Sequence, residues 1–487
     1  MTKLQSLQLE LLQNRLKMCK EAAMKINGKM TIELTDVNTS EVTTIAEENM
    51  VTNTINHIFG LNPMGTFYDA GDSTNIVKWG SSFLPICPNL IGGILMFPKV
   101  LTEDADYIYS SSDNMPVAYA SNDVNSTANL ARGSLNLTES KALDNGYKFV
   151  WEFTPSQGNG TIAAVALTSA NGGTNAYGSL VSDAAVFHTL KSIRYVSSMT
   201  RAQIMLLYET VEVNFEGNYL FSITYENTGV RIRKVHLPIF TVGINEKLDD
   251  TTVTILEDKV IQPGQFKFLG SYTKYGEFLD GGDGYWYGFS NEGNSSGNAT
   301  MLLIKISKTD FSFTEGSWTL SNATLMDVGK RNNNSTYPDR YVRCCIRKGY
   351  LYVFAYDKKG VYKINLANSS DVTLIDFGFT SKGKGLCDSG TSEVYMTLVG
   401  DLIIGGDFQI TVLDQVVQTA GNTKTYYGAT PLFQYKNFLL GFGGSYGSDC
   451  RSIYLLNPYL ATINNLSSAV VKTVDKTMKI TYTLTQE

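Results

Sequence analysis

Glu277, Asp280 and Asp283 stand three residues apart in a segment that ends Asp-Gly-Gly-Asp-Gly, and Tyr285 and Trp286 follow at once. Two carboxylates beside an aromatic platform are the tools of glycoside hydrolysis. Asp residues in Gly-rich turns also collect calcium. The same Asp-Gly chemistry is the commonest way to turn a hairpin. The residues therefore support an ordinary turn first, an ion or sugar site second and catalysis last. Further binding candidates are tyrosines set among amides and glycines: Tyr337 beside Asn332-Asn333-Asn334, the pair Tyr426-Tyr427, and Tyr446. A phenol ring can stack on a sugar's apolar face while neighbouring amides bond its hydroxyls. The competing role for each is to anchor its own loop.

Other chemistries lack their residues. The three histidines, His57, His188 and His236, are far apart and form no HExxH pair, so neither a metal site nor a Ser-His-Asp triad is expected. No GxxxxGK[ST] loop is present, and no cofactor is implied. Net charge is −6 with scattered Lys and Arg, which argues against nucleic acid as a partner. The six cysteines follow no zinc or disulfide spacing. Adjacent Cys344 and Cys345 on a strand would point to opposite faces. No run of about 20 apolar residues exists to enter a membrane, and no signal peptide is visible at the start.

The elements that must position these residues are mostly strands. A turn followed by an aromatic or aliphatic run recurs with anchors at Tyr219, Tyr285, Tyr350, Leu402 and Phe438, in steps of 66, 65, 52 and 36 residues. Recurrence of one unit implies one architecture repeated in space. Second strands follow at 300–306, 360–365, 409–413 and 452–457. The pattern predicts an irregular β-propeller-like region over 200–465, in which sheets stack on one another; a sandwich with long hairpins is the rival.

Outside that region, residues 3–26 carry Leu9, Leu12, Leu16, Cys19, Ala23 and Ile26 at steps of three and four, predicting a short N-terminal helix that ends at Asn27-Gly28. Its stripe could dock on its own domain or join sister copies. A hairpin is expected at 30–45, a second short helix at 47–59, and a hairpin joining 147–153 to 161–167. The alternating tail, Met478 to Leu484, has the right face to pair with 30–45. The fold class is thus mostly β. Its parts are a helix (1–28), a β-sandwich-like attachment domain containing both termini (29–199 and 466–487), and the repeat region (200–465).

Three stretches carry a family resemblance: 32–56, 135–173 and 470–487. A Trp-x-Phe strand (Trp151 to Phe153), a Gln-x-Asn-Gly-Thr-Ile turn (Gln157 to Ile162) and a lysine-bearing final strand (Lys476 to Leu484) resemble tail and baseplate proteins of bacteriophages and prophages of Gram-positive hosts. That resemblance implies a non-enzymatic virion part at a tail tip, of tail-fibre or receptor-binding type. It would be made in the host cytoplasm and assembled with other tail proteins. It also implies a homo-oligomer, a trimer favoured, contacting a host surface glycan or protein. A purely architectural part and a polysaccharide depolymerase are the alternatives.

Overall fold

The computed structural model of the chain describes residues 26–54, 66–68, 91–107, 114–168, 186–189, 209–214, 217, 219–226, 229–236, 254–269, 276–332, 339–381, 394–418, 430–435, 438–442, 451–455 and 460–486. Every named element among them is a β-strand. Two kinds of sheet result: one of ten strands that carries the first and last described strands, and a series of smaller sheets in a propeller-like arrangement.

The ten-stranded sheet is organised by alternation. Met30, Ile32 and Leu34 are buried on the strand Ile26–Asp36, and Met478, Ile480 and Tyr482 are buried on Lys476–Gln486. The two strands pair antiparallel with Ile32 opposite Ile480 and Met30 opposite Tyr482, so their apolar faces coincide. The other edge of Ile26–Asp36 takes Val42–Val51 through the expected hairpin, whose turn Asp36 caps by accepting the amides of Asn38 and Thr39. Gly146–Phe153 then adds to the tail strand. On the far side Val42–Val51 meets Thr462–Lys472, which continues to Gly160–Thr168, Gly93–Phe97 and Ala118–Ser121. The sheet curls until its ends meet: Tyr119 bridges Arg132, and the Trp151 indole donates to the Ser121 carbonyl at 3.0 Å. One core fills the curl, drawing Met30, Ile32, Met96, Trp151, Val165, Ile480 and Tyr482 from both halves.

Three sequence expectations need correction here. The helix over 3–26 lies outside the described residues, with Leu9, Leu12, Leu16, Cys19 and Ala23. Its last residue, Ile26, is in a strand instead, as are the expected stop residues Asn27 and Gly28: the three are opposite Gln486, Thr485 and Leu484 in the ladder, and Ile26 is half-buried against the core. The short helix at 47–59 fails over its first part, because Glu47 and Glu48 continue the ladder opposite Met30 and Lys29. The strands at 147–153 and 161–167 exist, but they do not pair as a hairpin. Their edges are taken by Lys476–Gln486 on one side and by Thr462–Lys472 and Gly93–Phe97 on the other. The loop between them is therefore an arch from one side of the core to the other. Alternation sets which face is buried and leaves the partner open.

Lys472 is buried beside this arch, at 1 % exposure. Its Nζ donates to the Asn159 Oδ1 at 2.9 Å and the Pro155 carbonyl at 3.2 Å. Burial pulls its pKa down to about 8, against the opposing field of Asp475. Above pH 8 the folded lysine loses its proton while the unfolded chain, at about 10.4, still holds it. Stability therefore rises with pH from about 8 to about 10.4. Cys345, pushed up to about 12 by burial, works the opposite way above its unfolded value of about 8.5. Comparison with Lys472→Met isolates the lysine. Denaturant unfolding at pH 7 and pH 9 is expected to show wild type gaining about 1 kcal/mol on the variant; parallel curves would refute the buried charge.

Four of the remaining sheets are four-stranded antiparallel meanders. Sheet I is Thr210–Asn214, Tyr219–Glu226, Gly229–His236 and Thr254–Ile261. Sheet II is Gly276–Asp280, Tyr285–Ser290, Ala299–Ser307 and Phe313–Leu320. Sheet III is Cys344–Arg347, Tyr350–Phe354, Gly360–Asn365 and Asn368–Asp376. Sheet IV is Met396–Val399, Leu402–Gly405, Phe408–Ile410 and Val416–Gln418. Sheet V orders Thr430–Tyr435, Phe438–Phe442 and Arg451–Leu455, then takes Val186–Thr189 and Thr66–Tyr68 from much earlier in the chain. A small two-stranded ladder, Gly329–Asn332 with Asp339–Val342, lies between sheets II and III in the sequence.

All five repeat anchors are the first residue of a second strand. Ahead of Tyr285 and Tyr350 a glycine supplies a left-handed turn, with φ +88° at Gly284 and +79° at Gly349, where a side chain would be strained. First strands of successive sheets run alongside one another. Between sheets I and II pack Ile223, Ile232, Phe278, Trp286 and Ile304. Between II and III pack Phe289, Met301, Trp318, Cys344 and Val353; between III and IV, Cys345, Phe354, Val361, Met396 and Phe408. Cys344 and Cys345 thus serve opposite faces of one strand, neither of them in a disulfide.

Candidate functional site

In an antiparallel meander the turns between strands 1 and 2 and between strands 3 and 4 fall at one end of the sheet. Asp280 and Asp283 belong to that end of sheet II. Asp280 closes its strand and accepts the Gly282 amide at 2.8 Å. Asp283 accepts the Tyr285 amide at 3.2 Å and the Tyr287 hydroxyl at 2.7 Å. Each also holds a lysine: Lys308 lies 2.7 Å from Asp280, and Lys305 lies 3.7 Å from Asp283. Lys308 has a second carboxylate, Glu212 of sheet I, at 2.7 Å. Burial lowers the pKa of Lys308, but the two carboxylates outweigh burial and hold it above the ordinary lysine value. Glu277, the third acid of the segment, is fully buried.

The two aromatics of the segment part company. Tyr285 keeps 37 % of its surface exposed, yet Lys305 sits 3.9 Å above its ring centroid. Trp286 is fully buried between sheets I and II, its ring centroid 4.8 Å from that of Phe221, and its indole N–H donates to Glu212 at 2.8 Å. An indole in that position is a packing element and offers no face to a ligand. Tyr337, Tyr426, Tyr427 and Tyr446 lie outside the described residues.

Sequence reasoning missed the repeating partner of these aromatics. The second strands open Tyr-x-aromatic in sheets I to III: Tyr219 and Phe221, Tyr285 and Tyr287, Tyr350 and Tyr352. In each case a third-strand lysine stands opposite the second aromatic and caps the first ring. Lys234 is 4.0 Å over Tyr219, and Lys363 is 4.3 Å over Tyr350. The signal was the Tyr-x-aromatic spacing joined to a Lys one strand later. Sheet IV, with Leu402, Ile404 and Gln409, lacks it.

The same end is tied across the III–IV junction by Arg347. Its side chain is 4 % exposed, and it donates to the Asp401 carbonyl at 2.9 Å, the Ile410 carbonyl at 3.1 Å, the Tyr352 hydroxyl at 3.0 Å and Asp414 at 2.6 Å. Asp414 also holds Lys363 at 2.6 Å and accepts the Tyr352 hydroxyl. Burial raises the Asp414 pKa, but these donors outweigh it and keep the carboxyl below the usual range. An open groove of about 720 Å³ runs past this cluster between 373–378 and 414–416. Glu315 makes a comparable tie within the I–II region, accepting the amides of Gly264, Gln265 and Phe266.

This end of the sheets is therefore a belt of satisfied charges that pins neighbours together. Among the described residues no group of three or more His, Cys, Asp or Glu could hold a metal ion. His236 is exposed at the end of its strand. No helix among the described residues is long and apolar enough to cross a membrane.

No family model matches this chain, and no curated protein does. Among solved structures it is similar to an endo-arabinase from Bacteroides thetaiotaomicron, at 11 % identity and TM-score 0.27, over 51 % of this chain and 93 % of that one. It is also similar to a quinonprotein alcohol dehydrogenase-like protein from the same organism, at 10 % identity and TM-score 0.23, over 89 % and 95 %. Likeness at this level carries nothing about substrate or activity.

Proposed function

We propose that this chain is a virion structural protein of a phage-like tail tip or baseplate, of the receptor-binding type. In this reading the curled ten-stranded sheet is a sandwich-like attachment domain, and the propeller-like sheets form the body that meets the host surface. The supporting observation is how the apolar and charged residues are used. Sheets I to IV bury their faces on one another. The carboxylates Asp280, Asp283 and Asp414, around which a reactive site could have formed, are held by turn amides, hydroxyls and lysines. Such a body is rigid and suited to display. Several copies on one particle would turn weak single contacts into avid attachment. The family resemblance of 32–56, 135–173 and 470–487 supplies the virion setting.

The test is retention of the full chain on Gram-positive cells. A fragment over 200–465 is the wrong reagent, because sheet V takes strands at 66–68 and 186–189. The Asp280→Asn/Asp283→Asn variant is expected to bind cells as wild type does. Wild type should release no reducing sugar from surface polysaccharide. Sugar release that this variant loses would make the protein a depolymerase, and a folded full chain that binds no cell would favour a purely architectural part. Native mass of the full chain beside one lacking residues 1–25 reads the oligomer, for which a trimer is the expectation.

A further inference from the structure

We infer that the end of sheets II and III opposite the charged belt carries a glycan-contacting patch centred on Tyr356. The inference rests on the host-contact reading above and assigns it a place and a ligand class. Turns between strands 2 and 3 gather at this end: 291–298 in sheet II and 355–359 in sheet III. The segment 321–324, leaving the last strand of sheet II, joins them.

Three described tyrosines are strongly exposed: Tyr147 at 39 %, Tyr285 at 37 % and Tyr356 at 50 %. The first has its ring centroid 4.6 Å from that of Phe149, and the second is capped by Lys305. Among the described residues, Tyr356 is the strongly exposed tyrosine whose ring meets neither a cation nor another ring. Its backbone is nevertheless fixed. The Tyr356 amide donates to the Thr324 carbonyl at 2.9 Å, and the Ala355 amide donates to Gly360 across the turn at 2.9 Å. Ala355 also bridges Leu325 of the neighbouring segment. Lys358 takes the left-handed turn position with φ +61°, and its carbonyl accepts the Ser381 amide at 2.9 Å.

An open ring on a pinned turn loses little freedom when a ligand arrives, which is what makes tyrosine an effective contact residue. The surroundings suit a sugar. Asn298 and Asn322 are exposed in the adjoining segments, linked by the Asn322 amide donating to Asn298 Oδ1 at 3.0 Å. Their amides offer donors and acceptors in the segments next to the one that holds the Tyr356 backbone. Flanking charge is mixed, with exposed Asp357 and Lys359, which fits a neutral or weakly charged glycan better than a polyanion.

The experiment applies wild type, Tyr356→Ala and Tyr356→Phe, each as full chain, to an array of purified cell-wall polysaccharides from Gram-positive bacteria. Thermal unfolding of each is recorded in parallel. The expected result is binding by wild type, a loss of about tenfold or more in Tyr356→Ala, and near-wild-type binding in Tyr356→Phe, at unchanged Tm. Wild type that binds with Tyr356→Ala equal to it would overturn the patch and leave the host-contact reading standing. Wild type that binds no polysaccharide on the array would overturn the ligand class, and with cell retention also absent it would remove the host-contact reading as well.

Discussion

Trp286→Ala is expected to destabilise the protein by about 3–5 kcal/mol, with loss of cooperative unfolding in the sheet I–II region. The residue is the largest fully buried side chain between those sheets and touches Phe221 and Phe311. Its removal leaves a void that the surrounding strands, fixed by two ladders, cannot collapse into. It also strips Glu212 of one of its donors, although Lys308 remains. Trp286→Phe separates the two contributions. It keeps most of the packing and loses the indole hydrogen bond, so a loss of about 1–3 kcal/mol is expected. Urea unfolding of the three proteins is the measurement. A tryptophan that served as a sugar platform would behave otherwise: its truncation would leave the midpoint in place and reduce binding alone.

Arg347→Ala carries the second large effect, again about 3–5 kcal/mol. The guanidinium is buried and satisfies two backbone carbonyls, a phenol and a carboxylate from two sheets. Deleting it leaves the Ile410 carbonyl and the Tyr352 hydroxyl without that donor, while Asp414 keeps Lys363. Arg347→Lys retains the charge and cannot reproduce the fork of contacts, so it should recover only part of the loss. A double-mutant cycle with Asp414→Ala is expected to show coupling of about 1 kcal/mol or more. Additive single effects would mean that the III–IV junction is held by apolar packing alone.

The repeat region was legible because each unit announces itself locally. A turn, then a run of aromatic or aliphatic residues, marks the start of a second strand at every anchor from Tyr219 to Phe438, and a glycine with positive φ supplies that turn at Gly284, Gly349 and Gly400. The opposite faces of Cys344 and Cys345 followed from the period of a strand. The tail pairing was also legible, since the buried faces of 30–34 and 478–482 match. What the sequence withheld was partnership across long separations. The strands at 147–153 and 161–167 look like a hairpin because a turn joins them, yet the tail and Thr462–Lys472 compete successfully for their edges. Ile26 fits a helical stripe by spacing, and a long ladder with 476–486 claims it. At the candidate site the Asp-Gly turn was readable, but not that Lys305 and Lys308, more than twenty residues on, would neutralise it. Asp414 gave no warning, because its partners come from the neighbouring sheet.

Peptide-resolved alkylation of native protein tests the stacking of sheets most directly. Cys344 faces the II–III interface and Cys345 the III–IV interface, both buried. If neighbouring sheets cover both faces of sheet III, iodoacetamide should leave both thiols unmodified in the folded full chain. They should react together, at the denaturant concentration where the region unfolds. Modification of either thiol under native conditions would mean that one face of sheet III is open to solvent, and the stacked architecture would be wrong.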